Sequence, residues 1–307
     1  MRFPEAQIVA RIKGMTDEQF SEVRRGGYGG SDTGTILNMS QYGGPFTVWM
    51  SKVHGTSTPA NEAMMMGHKL EDFVRRDFAE EHGYVVHKAD VILKHPIYDF
   101  IRASPDGIIV VPGDPGIHEI KTTTQDDDWG QESQDATEPG VIPDRHLVQV
   151  HQYMLVTDFK WMIITVLLGG RGGFKMRSWK ILRDPEWDEI IISTLTDFHD
   201  KVTRRIAPAM DGSKATTRLL TQIYGEPNPS PTVFTDNMDS LVGQYVALKT
   251  AGKVMDDSVN ILGNEIRWKM GDAARGETER FVIHYGHRSN GSRPMMAKMK
   301  KEFVGDE

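Results

Sequence analysis

Two carboxylates and an amine stand where a strand calls for apolar side chains. In "ASPDGIIVVPGDPGIHEIKTTT" (103–124), Asp106 lies between a proline and a glycine, and a single residue separates Glu119 from Lys121. The turn-forming "PGDPG" at 112–116 folds the flanking segments into a hairpin. Asp106 then starts one strand and Glu119 lies near it on the next. Alternation sends Glu119 and Lys121 to one face and His118 and Ile120 to the other. Glu71 becomes a third acid if its helix packs on the first of these faces. Two carboxylates about 4 Å apart repel by roughly 4 kcal/mol at an effective dielectric of about 20, so the cluster takes up a proton or a cation. The chain has no cysteine, and oxygen-only ligands favour a hard ion such as Mg²⁺ or Mn²⁺. Such an ion acts most strongly where it also neutralises phosphate oxygens and activates a water. With Lys121 stabilising charge that develops on the phosphate, the set points to phosphodiester hydrolysis.

The elements that position these groups follow from periodicity. "TDEQFSEVRR" (16–25) opens with Thr16 and Gln19 in capping-box spacing and predicts a short helix. After the glycine-rich "GGYGGSD", Ser31 is the expected N-cap of the next helix. Residues 61–82 predict the clearest helix, with Leu70, Phe73, Val74 and Phe78 at helical spacing and Gly83 as its stop. Strands are expected at 84–93, 107–111, 117–124, 161–168 and 175–182, with "GGRGG" (169–173) as a second hairpin turn. Between the hairpins, "PDRHLVQVHQYMLVTD" reads as a helix burying Leu147, Val150, Met154 and Leu155, and "DPEWDEIIISTLTDFHDKVTRRI" as another amphipathic helix. Strands with helices on both sides predict an α/β core around a mixed sheet. Three segments are expected: 1–205 as that core, a Pro-rich linker at 206–232 around one short helix, and 233–307 as a mainly helical extension with a basic tail. From 238 to 270, a spacing near 3.5 predicts one long helix or a helical hairpin broken at Gly252.

Composition narrows the function further. At 307 residues, 38% hydrophobic and 26% charged, the chain reads as an ordinary globular protein. It has no apolar run of membrane-spanning length, and "MRFPEAQIVARIKGM" lacks the apolar core of a secretory signal, so a reducing cytoplasm is expected. A net charge of −7 argues against a protein that coats polyanions, and local basic clusters must carry any nucleic-acid contact. One such cluster, Phe159 to Arg183, holds six basic residues and no acid. Its Lys175 and Arg177 either track DNA phosphates or protect a solvated sheet edge. "MMM" at 64–66 is core packing, or an apolar wedge led by Met64 that unstacks a duplex end.

"SPDG…HEIK" has the form of the PD-(D/E)xK nuclease motif. "GYGGSDTGTILNMS", "NEAMMMGHKLED", "ASPDG", "EIKTTT" and "QVHQYMLVTD" resemble, in order, the elements of the YqaJ-like viral recombinase family, which includes phage lambda exonuclease. The resemblance covers about residues 20–205. It implies a restriction-endonuclease-like core and a Mg²⁺-dependent exonuclease that degrades one strand of linear duplex DNA from a phosphorylated 5′ end. Single-stranded 3′ overhangs result. By the same resemblance, Glu71, Asp106 and Glu119 bind one or two metal ions with help from the Ile120 backbone carbonyl, and Lys121 is the catalytic lysine. Gln149 positions the attacked phosphate or its water, with Tyr153 in the same Q-x-x-x-Y element. Arg24 or Arg25, together with Ser31, holds the terminal 5′ phosphate. The family also implies a ring-shaped homotrimer, a single-strand annealing partner, and a phage or prophage origin. A structure-specific or restriction-like endonuclease on the same fold is the alternative enzyme. A catalytically silent DNA-binding module that recruits a partner is the alternative outside enzymes, and the intact acid–acid–lysine set argues against it.

Overall fold

Capping groups and left-handed turns cut the chain into its elements. After a short strand, β1 (Ile8–Arg11), the helix α1 (Asp17–Arg25) begins at Thr16. The Thr16 hydroxyl accepts from the Gln19 N–H at 3.3 Å, and the Gln19 side chain accepts from the Thr16 N–H at 3.0 Å. Next come α2 (Gly30–Ile36), α3 (Pro45–His54) and α4 (Glu62–His82), the last followed by Gly83 at φ 68°. This computed structural model describes residues 3–4, 7–56, 62–124, 129–133, 140–170, 173–224, 238–270, 273–284 and 295–300. It divides into two units, Met1–Pro227 and Asn228–Glu307.

The stretch 84–93 does not run as the single strand its composition predicts. Asp90 turns left-handed at φ 47° and splits it into β2 (Val86–Lys88) and β3 (Val91–Lys94). β3 pairs with β1 and with β4 (Arg102–Ala103) in a small antiparallel sheet. β2 joins the main sheet, which contains β5 (Gly107–Ile109), β6 (Gly116–Thr123), β7 (Trp161–Gly170) and β8 (Gly173–Leu182). The order is β2-β5-β6-β7-β8, and β6 and β7 run parallel while the other pairs are antiparallel. A parallel pair needs a crossover. The crossover carries α5 (Asp144–Thr157), and α6 (Pro185–Thr203) follows the sheet. The result is the expected α/β core, a mixed sheet flanked by helices.

The two sheet faces pack differently. α4 lays Val74 and Phe78 on one face, where Val74 clusters with Ile120 and Leu167, and Phe78 stacks on His118 at 4.2 Å. Phe73, predicted in the same stripe, is 48% exposed, because Leu70, Val74 and Phe78 at four-residue steps already define the contact line. On the other face, Ile117, Ile164 and Val166 join Val148, Val150 and Met154 of α5 in the main core. α7 (Lys214–Ile223) lies within the stretch read as a linker, and its Leu219 and Leu220 pack against that core.

In the second unit, α8 (Met238–Met270) runs as one helix through Gly252, which settles the choice against a hairpin. β9 (Arg275–Glu277), β10 (Phe281–His284) and β11 (Met296–Met299) form an antiparallel sheet. Part of the expected basic tail is therefore strand, while residues 285–294 and 301–307 lie outside the described residues. Among the described residues, no helix is long and apolar enough to cross a membrane.

One core histidine yields a stability prediction. His151 is 3% exposed and stacks on Trp187 at 5.5 Å, with no hydrogen-bond partner for its Nδ1. Burial pushes it down to about 4. A group depressed in the folded state stabilises above its unfolded pKa and loses that contribution as pH falls through the folded value. The contribution is thus complete above about pH 6.5 and disappears toward pH 4, worth about 3 kcal/mol in all. His151→Phe keeps the stack, so its urea midpoint should fall less than that of the wild type between pH 7 and pH 4. Parallel pH curves for the two proteins would remove His151 from the acid response.

Candidate active site

The β5–β6 register sets the acids face to face. Gly107 pairs with His118, so Asp106, one residue earlier, stands opposite Glu119. The Ile120 N–H donates to Asp106 Oδ2 at 2.8 Å, which holds the carboxylate across the seam and ties it to the residue whose carbonyl was assigned to the metal. Glu119 is only 2% exposed. Its Oε1 accepts from Lys121 Nζ at 2.6 Å and from Gln149 Nε2 at 2.6 Å, while Oε2 is buried without a hydrogen-bond partner. Gln149 reaches Glu119 because α5 covers this face of the sheet. Its Nε2 also donates to the Tyr153 hydroxyl at 3.1 Å. Tyr153, expected among the DNA-binding residues, is 6% exposed and braces Gln149 from beneath.

Burial and mutual repulsion dominate the electrostatics. Burial raises Asp106 well above the usual carboxylate range, and Glu119 and Glu71 raise it further against the pull of Lys121. Burial also raises Glu119, and Glu71 adds to this, although the Lys121 ammonium opposes the shift. Burial alone would lower Lys121, but Glu119 and Asp106 outweigh it and hold the amine above its ordinary value. The neighbouring carboxylates thus favour the ammonium form of Lys121. Burial, Glu119 and Asp106 together push the Tyr153 phenol up, so it stays protonated.

The third acid approaches from elsewhere. α4 packs on the face that bears His118 and Ile120, not on the face of Glu119 and Lys121 as the three-acid arrangement required. Glu71 Oε1 lies 2.7 Å from His68 Nδ1, and its charge still reaches Asp106, Glu119 and Lys121. Among the described residues, no group of three or more His, Cys, Asp or Glu side chains is arranged to hold a metal ion. The Asp106–Glu119 pair nonetheless suits a hard divalent cation. It offers oxygen donors alone, both carboxyls are held above their normal pKa, and Glu119 Oε2 is buried with nothing to satisfy it.

A family model described as the YqaJ-like viral recombinase domain matches residues 19–160. Across 285 residues the chain is 32% identical to the uncharacterized protein YqaJ of Bacillus subtilis (strain 168), covering 90% of this chain and 85% of that one. The chain belongs to the YqaJ-like viral recombinase family. Among solved structures it is similar to LHK-Exo in complex with dAMP, at 20% identity over 68% of this chain and 98% of that one, with a TM-score of 0.46. It is also similar to the alkaline exonuclease LHK-Exo from Laribacter hongkongensis, at 18% identity over 67% and 99%, with a TM-score of 0.44.

In this YqaJ-like chain the two candidate arginines separate. Arg24 turns toward Ser31, donating to its hydroxyl at 3.0 Å, and its charge is felt at Tyr153. Arg25 lies instead by Gly55, where an added Cβ would meet its guanidinium carbon at 3.4 Å. Ser31 is not the N-cap of α2 as predicted. Gly29 takes that position, and Asp32 Oδ2 accepts its N–H at 3.1 Å. The double glycine moves the helix start forward, which leaves the Ser31 hydroxyl free to meet Arg24. Gly30 has no room for a side chain, since a Cβ there would lie 2.8 Å from Gln149 Cα. α2 thus sits directly on the α5 turn that carries Gln149, joining the arginine–serine pair to the acids.

Cross-strand pairing extends the site along the sheet. Lys121 pairs with Val166, which pairs with Arg177, and Thr123 leads likewise through Leu168 to Lys175. Lys175 and Arg177 therefore share the Glu119 face. Arg177 also donates to the Gly130 carbonyl at 3.2 Å. Lys180 sits over Trp161 at 4.9 Å, and Arg183 pairs with Asp158 at 2.5 Å and with Asp188 at 2.8 Å, so neither joins the row. The Met64 side chain lies outside the described residues. Sequence reasoning missed Lys52, Arg102 and Gln152, which bind backbone carbonyls around the α1–α2 turn. Nothing in their spacing marks them, because each acts on main-chain atoms remote in sequence.

Proposed function

We propose that this YqaJ-like protein is a metal-dependent 5′-to-3′ exonuclease that degrades one strand of linear duplex DNA and leaves 3′ single-stranded overhangs for annealing. The observation that carries the reading is the buried, unpartnered Glu119 Oε2 opposite Asp106, with the Lys121 ammonium on the other oxygen. Asp106 and Glu119, with the Ile120 carbonyl, would hold one or two Mg²⁺ ions, with Mn²⁺ as a substitute. Glu71, whose charge reaches both acids although α4 lies on the other face, would join them when the ion binds. An ion there supplies charge neutralisation at the phosphate and a water of lowered pKa. Lys121, favoured in its protonated form, orients the attacking oxygen and offsets charge that builds on the phosphate. Gln149, clamped between Glu119 and Tyr153, keeps one amide hydrogen-bonding group beside the scissile phosphate.

Polarity follows from the second pocket. Arg24 and Ser31 offer a guanidinium and a hydroxyl to a terminal 5′ phosphate, and Gly30 fixes their distance from the acids. A strand gripped by its 5′ end is cut from that end. Lys175 and Arg177 suit phosphate contacts along the strand. A ring-shaped homotrimer, a single-strand annealing partner and a bacterial cytoplasm complete the proposal.

The test is incubation of 5′- or 3′-end-labelled linear duplex with Mg²⁺, with Ca²⁺, or with chelator, beside a covalently closed circular duplex. Mg²⁺ should release the 5′ label first and leave the circle intact, and chelator should stop all release. Early loss of the 3′ label would reverse the polarity, and a cut circle would make the enzyme an endonuclease.

A further inference from the structure

Asp32 poses an electrostatic problem for a phosphate pocket, because it places an anion next to Ser31. Its solution lies on α3. Lys52, with its side chain 6% exposed, donates to Asp32 Oδ2 at 2.9 Å, to the Gly27 carbonyl at 2.6 Å and to the Arg24 carbonyl at 3.1 Å. The ammonium has three protons, and all three are used. It also lies 5.4 Å from the centre of the buried Tyr28 ring. Asp32 in turn accepts the Gly29 N–H at 3.1 Å. One side chain thus straps the α1–α2 turn at Arg24, at Gly27 and, through Asp32, at Gly29. Burial raises Asp32, but Lys52 and Arg24 more than reverse this and keep it ionised. With Lys52 and Asp32 cancelling each other, the Arg24 charge is left for a ligand.

We propose that Lys52 is a positioning residue for recognition of the terminal phosphate: it fixes the turn that aims Arg24 and Ser31, and it neutralises Asp32. This rests on the reading that Arg24 and Ser31 hold the 5′ phosphate. Lys52 does not touch that phosphate. Its removal should therefore erase the preference for phosphorylated ends and leave chemistry on hydroxyl ends unchanged.

The experiment compares kcat and KM on duplexes with 5′-phosphoryl and 5′-hydroxyl ends for the wild type, Lys52→Met, Lys52→Met with Asp32→Asn, and Arg24→Ala. The double variant leaves no unpaired buried charge, so it reports on the strap if the single variant fails to fold. We expect both Lys52 variants to raise KM for phosphorylated ends about tenfold or more, with kcat and the hydroxyl-end values near wild type. Loss of the preference in Arg24→Ala together with a wild-type preference in the folded double variant would overturn the role of Lys52 and leave the phosphate pocket standing. A wild-type preference in Arg24→Ala would overturn the pocket itself, and the role of Lys52 with it.

Discussion

Lys121→Ala should leave duplex binding in Ca²⁺ within about threefold of wild type and lower Mg²⁺-supported hydrolysis by about a hundred- to a thousandfold. The asymmetry follows from where the amine sits. Its Nζ is 2.6 Å from Glu119 Oε1 at the floor of the site, so it adds little to the basic surface that holds the duplex. What it supplies is a fixed positive charge where the phosphate gains negative charge, beside the buried Glu119 carboxylate. Glu119 and Asp106 favour its charged form, which suits an electrostatic part. Single-turnover cleavage of an end-labelled duplex measures the effect directly. Equal rates for mutant and wild type would take Lys121 out of the chemistry.

The acid–lysine hairpin was legible because its logic is local. A turn of Pro, Gly and Asp fixes the pairing, and a period of two assigns every side chain to a face. What the sequence hid depends on backbone geometry or on distant partners. Asp90 breaks an apolar run by adopting φ 47°, and aspartate at that place in a strand-like segment gives no warning. β1 is four residues long and acquires its conformation from β3. Arg24 and Arg25 are adjacent, and a step of about 100° around a helix sends them to different neighbours, which only tertiary packing names. Ser31 has the right chemistry for a cap, but two glycines before it let the helix start earlier and Asp32 do the capping. Lys52 looks like any helix lysine. Its three acceptors come from 20 to 28 residues away, and two of them are backbone oxygens.

Asp106→Asn should abolish cleavage and at the same time stabilise the metal-free protein at neutral and higher pH, by on the order of 1 kcal/mol. The amide oxygen can still accept the Ile120 N–H that Asp106 Oδ2 now takes, so the hairpin keeps its register. The charge disappears. Asp106 and Glu119 are both raised by burial and by neighbouring carboxylates, and a group raised in the folded state contributes stability below its unfolded pKa and loses it as pH rises through the folded value. In chelator, wild-type stability should therefore decline as pH rises above the ordinary carboxylate range and the pair ionises, and Asp106→Asn should flatten that decline. Mg²⁺ should restore the wild type most at the high-pH end, where the bare carboxylates repel most, and should do little for the variant. Thermal melts at several pH values, with and without Mg²⁺, resolve all of these effects. A wild type equally stable at all of these pH values in chelator would mean that the pair carries no strain. A variant that gains as much from Mg²⁺ as the wild type would mean that Asp106 is not a ligand.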